Sequence, residues 1–373
     1  MNITFLVGNG FDRNLGLKTS YSDFIKWYKK TPVKTETPAK LEVLKKFREY
    51  INDNEELWSA AEEELGRYTA QFEVGAGAAF YECHKDICEH LAEYLKGQQG
   101  RVEYPAISKE IEDTFSQLKA LTSPFHTQEK AVLDEIYAKH KSENVVFNFI
   151  TYNYTDTLDQ CLELVRKKQG LLGSHRYNSN IHNHAVGAIH HVHGTVNAQM
   201  VFGVNDKSQI AKPEIFECEY GDLYEELLIK KQANQGYQEN ADAKAKKLLD
   251  ESHILYIYGM SIGATDKLWW ERVCTWLAGN SDRHIIFFSY EMPAAGVIET
   301  DRKIEERKAR RKITQYSQLD EQKKLAIESR IHVTNVNLFQ GLADIAKNAA
   351  EEYLALSKEI REKGLEAIPA ATT

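Results

Sequence analysis

The sequence predicts an α/β fold, a Rossmann-like parallel sheet of about six strands carrying large helical insertions. Three observations lead there. Short, almost continuously apolar runs recur along the chain, as expected of strands buried on both faces of a parallel sheet. Helical patterns separate most of these runs, the alternation typical of α/β proteins. Two long stretches, residues 22–143 and 207–251, have helical character and no such run.

The first apolar run, Ile3 to Val7, breaks directly into Gly8-Asn9-Gly10, which reads as a buried strand ending in a tight turn. Glycines there allow close backbone approach to a ligand, and a strand ending in G-x-G opens many nucleotide-binding sheets. The following FDRNLGLKTSYSDF is too polar and glycine-interrupted for the usual dehydrogenase helix, and Arg13 stands where the third glycine of G-x-G-x-x-G would fall. The opening therefore points to a nucleotide by another route. Between 22 and 143 the chain reads as successive amphipathic helices, with Leu41, Leu44, Phe47 and Ile51 at helical spacing. Further strands are expected at Asn144–Ile150, Ala188–Val192, His253–Tyr258, Arg283–Phe288 and Ile331–Asn335. Residues 207–251 are charged and helical, with a break at Asn234-Gln235-Gly236-Tyr237. Charged helices follow at 301–328 and 340–363, and the tail after Gly364 is expected to fray. The implied organisation is a core of residues 1–21, 144–206 and 252–345, a helical insertion at 22–143, a smaller helical insertion or lid at 207–251, and a C-terminal helix and tail at 346–373.

Composition narrows the function classes. At 373 residues, 42% hydrophobic and 27% charged, the chain is an ordinary globular one with room for one large domain or two. A net charge of −8 leaves no electrostatic footprint for a nucleic-acid partner, and the basic run Arg307–Lys312 is flanked by acids, as on a solvated helix face. No signal-peptide h-region and no apolar stretch of membrane-spanning length is visible. The five cysteines, at 83, 88, 161, 218 and 274, form no C-x-x-C pair, which fits a reduced thiol inventory and a cytoplasmic location.

Ligands of open α/β sheets bind outside the carboxyl ends of the strands. Four expected strand ends carry small, polar or ionisable residues: Gly8-Asn9-Gly10-Phe11-Asp12, Thr151-Tyr152-Asn153-Tyr154-Thr155-Asp156, His191-Val192-His193-Gly194-Thr195, and Gly259-Met260-Ser261-Ile262-Gly263-Ala264-Thr265-Asp266. Each has a bland reading: His193 as a satisfied core histidine, Asn153 as a helix cap, Asp266 as the cap of the helix beginning Lys267-Leu268-Trp269-Trp270. Thr155 or Asp156 can cap equally well, which frees Asn153, and the coincidence of four polar strand ends favours function for His193. Trp58 and Glu62 stand i, i+4, with Trp58 expected in the core and Glu62 able to reach a pocket. His182/His184 and His191/His193 have i, i+2 spacing that suits a metal if their side chains share a strand face, but few acids lie nearby in sequence, and no metal is expected. Cys83, His84, Cys88 and His90 read as helix packing.

Together these segments resemble the abortive-infection AbiH family of bacterial phage-defence proteins, and more distantly the sirtuin-like (SIR2-like) NAD-binding fold. The resemblance rests on GNGFDRNLGLKTSYSDF at 8–24, Trp58 with Glu62, ITYNYTDTLD at 150–159, HVHGT at 191–195, VFG at 201–203 and YGMSIGATD at 258–266, in colinear order. The sirtuin-like resemblance implies that Gly8, Asn9, Gly10, Phe11 and Asp12 lie against the phosphates and nicotinamide ribose of NAD. Thr19 and Tyr21 would belong to a segment closing over the cofactor, with Tyr154, Thr155 and Gly194 lining the same site. Asn153 would orient a water or ribose hydroxyl, and His193 would be the general base. Gly259, Ser261, Gly263 and Asp266 would form a second turn against the adenosine side. Two departures stand out. The carboxylate usual two residues after the asparagine is replaced by Thr155, with the acid one position later at Asp156. The zinc-binding C-x-x-C pairs of deacylase sirtuins are also missing, so deacylation is not expected. The implied activity is hydrolysis of NAD to nicotinamide and ADP-ribose during phage infection. The competing class is a sensor or scaffold that binds NAD or a related nucleotide without turnover. Either class is compatible with a homo-oligomer.

Overall fold

In the computed structural model, which describes residues 1–351 apart from 34, 36, 119–121, 123–124, 168–170, 237–240, 292–298 and 349–350, seven strands form one sheet. They are β1 (Asn2–Val7), β2 (Val145–Thr151), β3 (Leu171–Tyr177), β4 (Asn180–His191), β5 (Ile254–Tyr258), β6 (His284–Phe288) and β7 (Ile331–Thr334), in the order β3-β4-β2-β1-β5-β6-β7. Every pairing is parallel except β3 on β4. Tyr237 of the expected break, and residues 352–373 of the expected C-terminal helix and tail, lie outside the described residues.

The fold class matches the expectation, with one strand added and one extended. β4 begins at Asn180 instead of Ala188, and β3 precedes it as the outer arm of a hairpin. Neither is continuously apolar, because β3 is the sheet edge and is largely exposed, so the buried-strand pattern does not mark them. The turn is the two-residue Asn178-Ser179, with φ of 47° and 66°, the left-handed pair that closes tight hairpins.

Helices cover both faces. On one, Phe5, Phe147 and Phe149 of the sheet pack with Phe11, Phe115, Leu133, Leu158 and Phe339. On the other, Leu6, Ile150, Leu255 and Ile257 pack with Leu249, Trp270, Val273 and Ile313. The helices within 22–143 divide between two cores. Those at Ser108–Phe115 and Thr127–Lys139 lie against the sheet, whereas those at Tyr21–Tyr28, Pro38–Asp53, Ala61–Tyr68 and Gly77–Gln99 build a separate cluster around Phe47 and Trp58. The helix Gly221–Leu228 joins that second cluster through Leu228, so residues from both insertions form one cap.

β1 lies between β2 and β5, and its first turn is pressed against the turn after β5. Gly8 N donates to Tyr258 O at 2.9 Å and Gly10 N to Gly259 O at 2.8 Å. Gly259 has φ of +66°, and a Cβ on it would sit 2.7 Å from Gly10 Cα. Side chains on either glycine would force the two loops apart. Gly10→Ala is therefore expected to lower stability in urea unfolding by about 2 kcal/mol or more, an overpacking loss against backbone that cannot rotate away. An unchanged midpoint would mean that the two loops separate freely.

Candidate functional site

The chain leaves β1 toward β2 on one side and reaches β5 on the other, so the β1/β5 boundary is the switch point where open sheets form a crevice. A cavity of about 250 Å³ lies there. Gly8, Asn9 and Asp12 line it from the first strand end, Asn153, Tyr154 and Thr155 from the second, His193 from the third, and Gly259, Ser261 and Asp266 from the fourth. Thr19, Tyr21 and Glu62 close it from the cap, together with Lys230.

Four expected residues sit elsewhere. Phe11 is a correction: its ring is fully buried beneath the sheet, edge-on to Phe339 at 5.1 Å, because the short helix Gly10–Asn14 turns that side chain into the core while Asp12 faces the cavity. Gly10 lines an adjoining cleft of about 910 Å³ that shares Asn9, Gly259, Met260 and Ser261 with the cavity. Gly194 faces a different cavity, on the side of His190 and His191; its φ of +68° and close contact with the Gln199 carbonyl serve the turn. Gly263 has extended backbone and no neighbour nearer than 3.9 Å to a Cβ, so nothing there requires glycine.

Asp12 is the carboxylate beside Asn153. Asn153 Nδ2 donates to Asp12 Oδ1 at 3.2 Å and Thr155 Oγ1 to Oδ2 at 2.6 Å. The Asn153 side chain is thus directed into the site and not spent on capping the helix Thr157–Lys167. Complete burial pushes the Asp12 carboxyl up to about 6, against the lowering effect of those two hydrogen bonds and of Thr19 and Thr157. Asp156 is turned away. Its carboxylate accepts from Asn197 Nδ2.

His193 is buried, and Asp266 Oδ1 lies 3.1 Å from its Nε2. Its Nδ1 is buried without a hydrogen-bond partner. Asp266 stands at the N-cap of Lys267–Ala278 but makes no capping bond with its side chain. The same Oδ1 lies 3.5 Å from Lys230 Nζ. Burial favours a protonated Asp266 carboxyl, but the Lys230 ammonium and the bond from His193 outweigh it and hold the group well below the usual carboxylate range. An ionised Asp266 can only accept, so the His193 nitrogen that faces it, Nε2, is the one that donates, and Nδ1 is the nitrogen presented to the cavity.

Lys230 is the residue that pattern reading missed. Its Nζ donates to Glu62 Oε2 at 2.6 Å, and Glu62 Oε1 accepts from Tyr21 at 2.9 Å and Tyr154 at 2.8 Å. Burial works against the lysine's charge, yet Glu62 and Asp266 raise its pKa. Trp58, four residues before Glu62, is fully buried in the cap.

The histidine pairs do not converge as metal ligands. His191 Nε2 meets Asp159 Oδ2 at 2.7 Å while His193 faces Asp266, and His184 Nε2 bonds His175 Nδ1 at 2.9 Å. Among the described residues, one trio could offer ligand atoms to a cation: Asp156, Asp159 and His191, just outside the cavity. Its acids come from the start of the helix after β2, more than thirty positions before His191, which is why the sequence around the histidines shows none. Cys83 and His84 sit within Gly77–Gln99, where His84 Nε2 bonds the Phe202 carbonyl at 2.7 Å.

A mostly parallel sheet with its polar cavity at the switch point defines a Rossmann-like α/β protein with a helical cap. Over residues 4–289 the chain matches the bacteriophage abortive infection AbiH family, to which it belongs. Comparison with curated proteins finds no match. No helix among the described residues is long and apolar enough to cross a membrane.

The raised Asp12 pKa has a thermodynamic signature. The folded state holds this proton more tightly than the unfolded chain, so Asp12 costs stability as pH rises from about 4 through about 6. Asp12→Asn keeps an oxygen for Asn153 and lets the Thr155 hydroxyl accept. We expect it to unfold at higher urea concentration than wild type at pH 7.5, by about 1–3 kcal/mol, with the gain vanishing near pH 4. A pH-independent difference would place the effect elsewhere.

Proposed function

We propose that this AbiH-family protein hydrolyses NAD to nicotinamide and ADP-ribose, and that loss of the cofactor in an infected cell limits the phage. The observation that carries the reading is the buried His193 Nδ1, left without a partner and presented as a base by an ionised Asp266 in the same cavity as Asn153. The shape supports a dinucleotide. The cavity of about 250 Å³ suits a nicotinamide ribose, and the cleft of about 910 Å³ beyond the Asn9 and Gly259–Ser261 loops suits an adenosine. The glycine-lined junction between them lets pyrophosphate approach the backbone.

The chemistry follows from the lining groups. Asn153 positions a water near the ribose anomeric carbon, and His193 Nδ1 takes its proton as the new carbon–oxygen bond forms. The glycosidic carbon–nitrogen bond breaks with its electron pair going to the pyridine nitrogen, so nicotinamide departs neutral and needs no acid. The anomeric carbon gains positive charge on the way. Three carboxylates, Asp12, Glu62 and Asp266, against one ammonium, Lys230, give the cavity the sign that stabilises that charge. Tyr21, Glu62 and Lys230 close over the cavity from the cap, which would exclude bulk water from the reacting centre.

The alternative, a sensor binding NAD without turnover, drew on the displaced acid at Asp156. With Asp12 next to Asn153, a carboxylate is available to the site after all, and that observation no longer favours the sensor. Purified protein is expected to release nicotinamide and ADP-ribose from NAD. His193→Ala should lower the rate by about 10²–10⁴-fold and Asn153→Ala by about 10²-fold, with melting curves showing that both variants fold. If NAD raises the melting temperature but survives incubation intact, including with phage lysate added, the protein is a sensor.

A further inference from the structure

We infer that Arg13 binds the pyrophosphate of the dinucleotide, supplying from a side chain the positive charge and the donors that the backbone of this turn does not offer. The inference rests on the reading of the cavity and its adjoining cleft as a dinucleotide site. It gives a role to the residue that displaces the third glycine of G-x-G-x-x-G.

In the dinucleotide fingerprint, pyrophosphate rests on free backbone N–H groups where the helix begins, and the third glycine lets that helix pack closely on its strand. Neither condition holds here. Gly8 N donates to Tyr258 O, Gly10 N to Gly259 O, Phe11 N to Gly8 O and Arg13 N to Asn9 O, at 2.9, 2.8, 3.1 and 3.2 Å, so these amides of the turn are already engaged. The helix itself has only five residues, Gly10–Asn14, and the chain turns off at Gly16 with φ of +74°. With no long helix to pack, position 13 is free to carry a side chain. Successive helical residues point about 100° apart, and here Asp12 faces the cavity while Arg13 faces the cleft.

Electrostatics singles out the same residue. The pyrophosphate of a dinucleotide is doubly negative, and the cavity, with Asp12, Glu62 and Asp266 against Lys230, repels it. The lysines lining cavity and cleft are committed: Lys230 Nζ lies 2.6 Å from Glu62 Oε2, and Lys312 Nζ 2.5 Å from Glu291 Oε2. Of the lysine and arginine side chains among the described residues of cavity and cleft, Arg13 is the one left without an ion pair or side-chain hydrogen bond, and it is exposed. A guanidinium presents paired N–H donors to phosphate oxygens, and this one has no partner to give up when a ligand arrives. The dinucleotide would then span two opposite fields, its ribose carbon against the carboxylates and its pyrophosphate against the arginine.

The test is calorimetric titration of the full-length protein with ADP-ribose, which carries the pyrophosphate but no nicotinamide bond to cleave. Arg13→Ala removes no ion pair or side-chain hydrogen bond of the fold, and a melting curve checks that it folds. It should weaken binding about 10-fold or more. Arg13→Lys, which keeps the charge but not the paired donors, should recover part of the loss. If Arg13→Ala does not fold, Arg13→Gln takes its place with the same expected loss. Arg311→Ala removes an equal charge from an exposed helix position outside the cleft lining, and should leave the affinity within about twofold of wild type. Wild-type affinity in Arg13→Ala, an equal loss in Arg311→Ala, or no binding of millimolar ADP-ribose by wild type would each overturn the inference. The hydrolase reading fails separately. ADP-ribose held through Arg13 by a protein that releases no nicotinamide from NAD would sink hydrolysis alone, whereas NAD hydrolysis with unchanged KM in Arg13→Ala would sink the inference alone.

Discussion

The arrangement depends on a buried chain of ionisable groups, Glu62–Lys230–Asp266–His193, whose successive links measure 2.6, 3.5 and 3.1 Å. Its members come from the first insertion, the second insertion, the loop after β5 and the turn after β4. None could be buried alone, because removing one partner of a buried ion pair typically costs about 3–5 kcal/mol. The charges therefore impose a condition on the whole molecule. The cap has to sit on the sheet in one register, with the Glu62 and Lys230 side chains meeting over the crevice, or several charges are stranded without solvent. Hydrophobic packing around Trp58 and Phe47 favours a cap in general, and the charge chain selects this one.

The sheet contributes a second condition. β1 occupies a central position, and the turns after β1 and β5 touch through glycines, backbone to backbone. This contact brings the Asp12 and Asp266 loops to one cavity while their strands lie side by side. The polar strand ends meet because parallel strands present all their carboxyl ends on the same side, and the helices that cover the two faces leave that edge to the cap.

Much of this was legible in the residues. Buried parallel strands advertise themselves by unbroken apolar runs, so six of seven were readable, and their polar ends pointed to a common site. The edge hairpin was not, since β3 (LLGSHRY) and the first half of β4 (NIHNHA) are largely polar and bury little. Phe11 shows how a motif can mislead: it stands beside Gly10 and Asp12 in sequence, but one short helical turn sends it to the opposite side of the backbone. Lys230 was invisible for a different reason. A lysine in a charged helical stretch looks like solvated surface, and only the partners brought from residues 62 and 266 mark it as buried. Glu62, by contrast, was within reach of sequence reasoning through its spacing from Trp58. The acid beside Asn153 came from another strand end altogether, a substitution in space that no local spacing can display.

The central place of β1 also governs when the site can be completed during synthesis. Its neighbours in the sheet begin at Val145 and Ile254, so β1 emerges from the ribosome long before either partner exists. The cavity needs Asp12, Asn153, His193, Lys230 and Asp266 together, and the full set cannot close before Asp266 has been translated. Partial chains, whether nascent or left by stalled translation, consequently lack the assembled site.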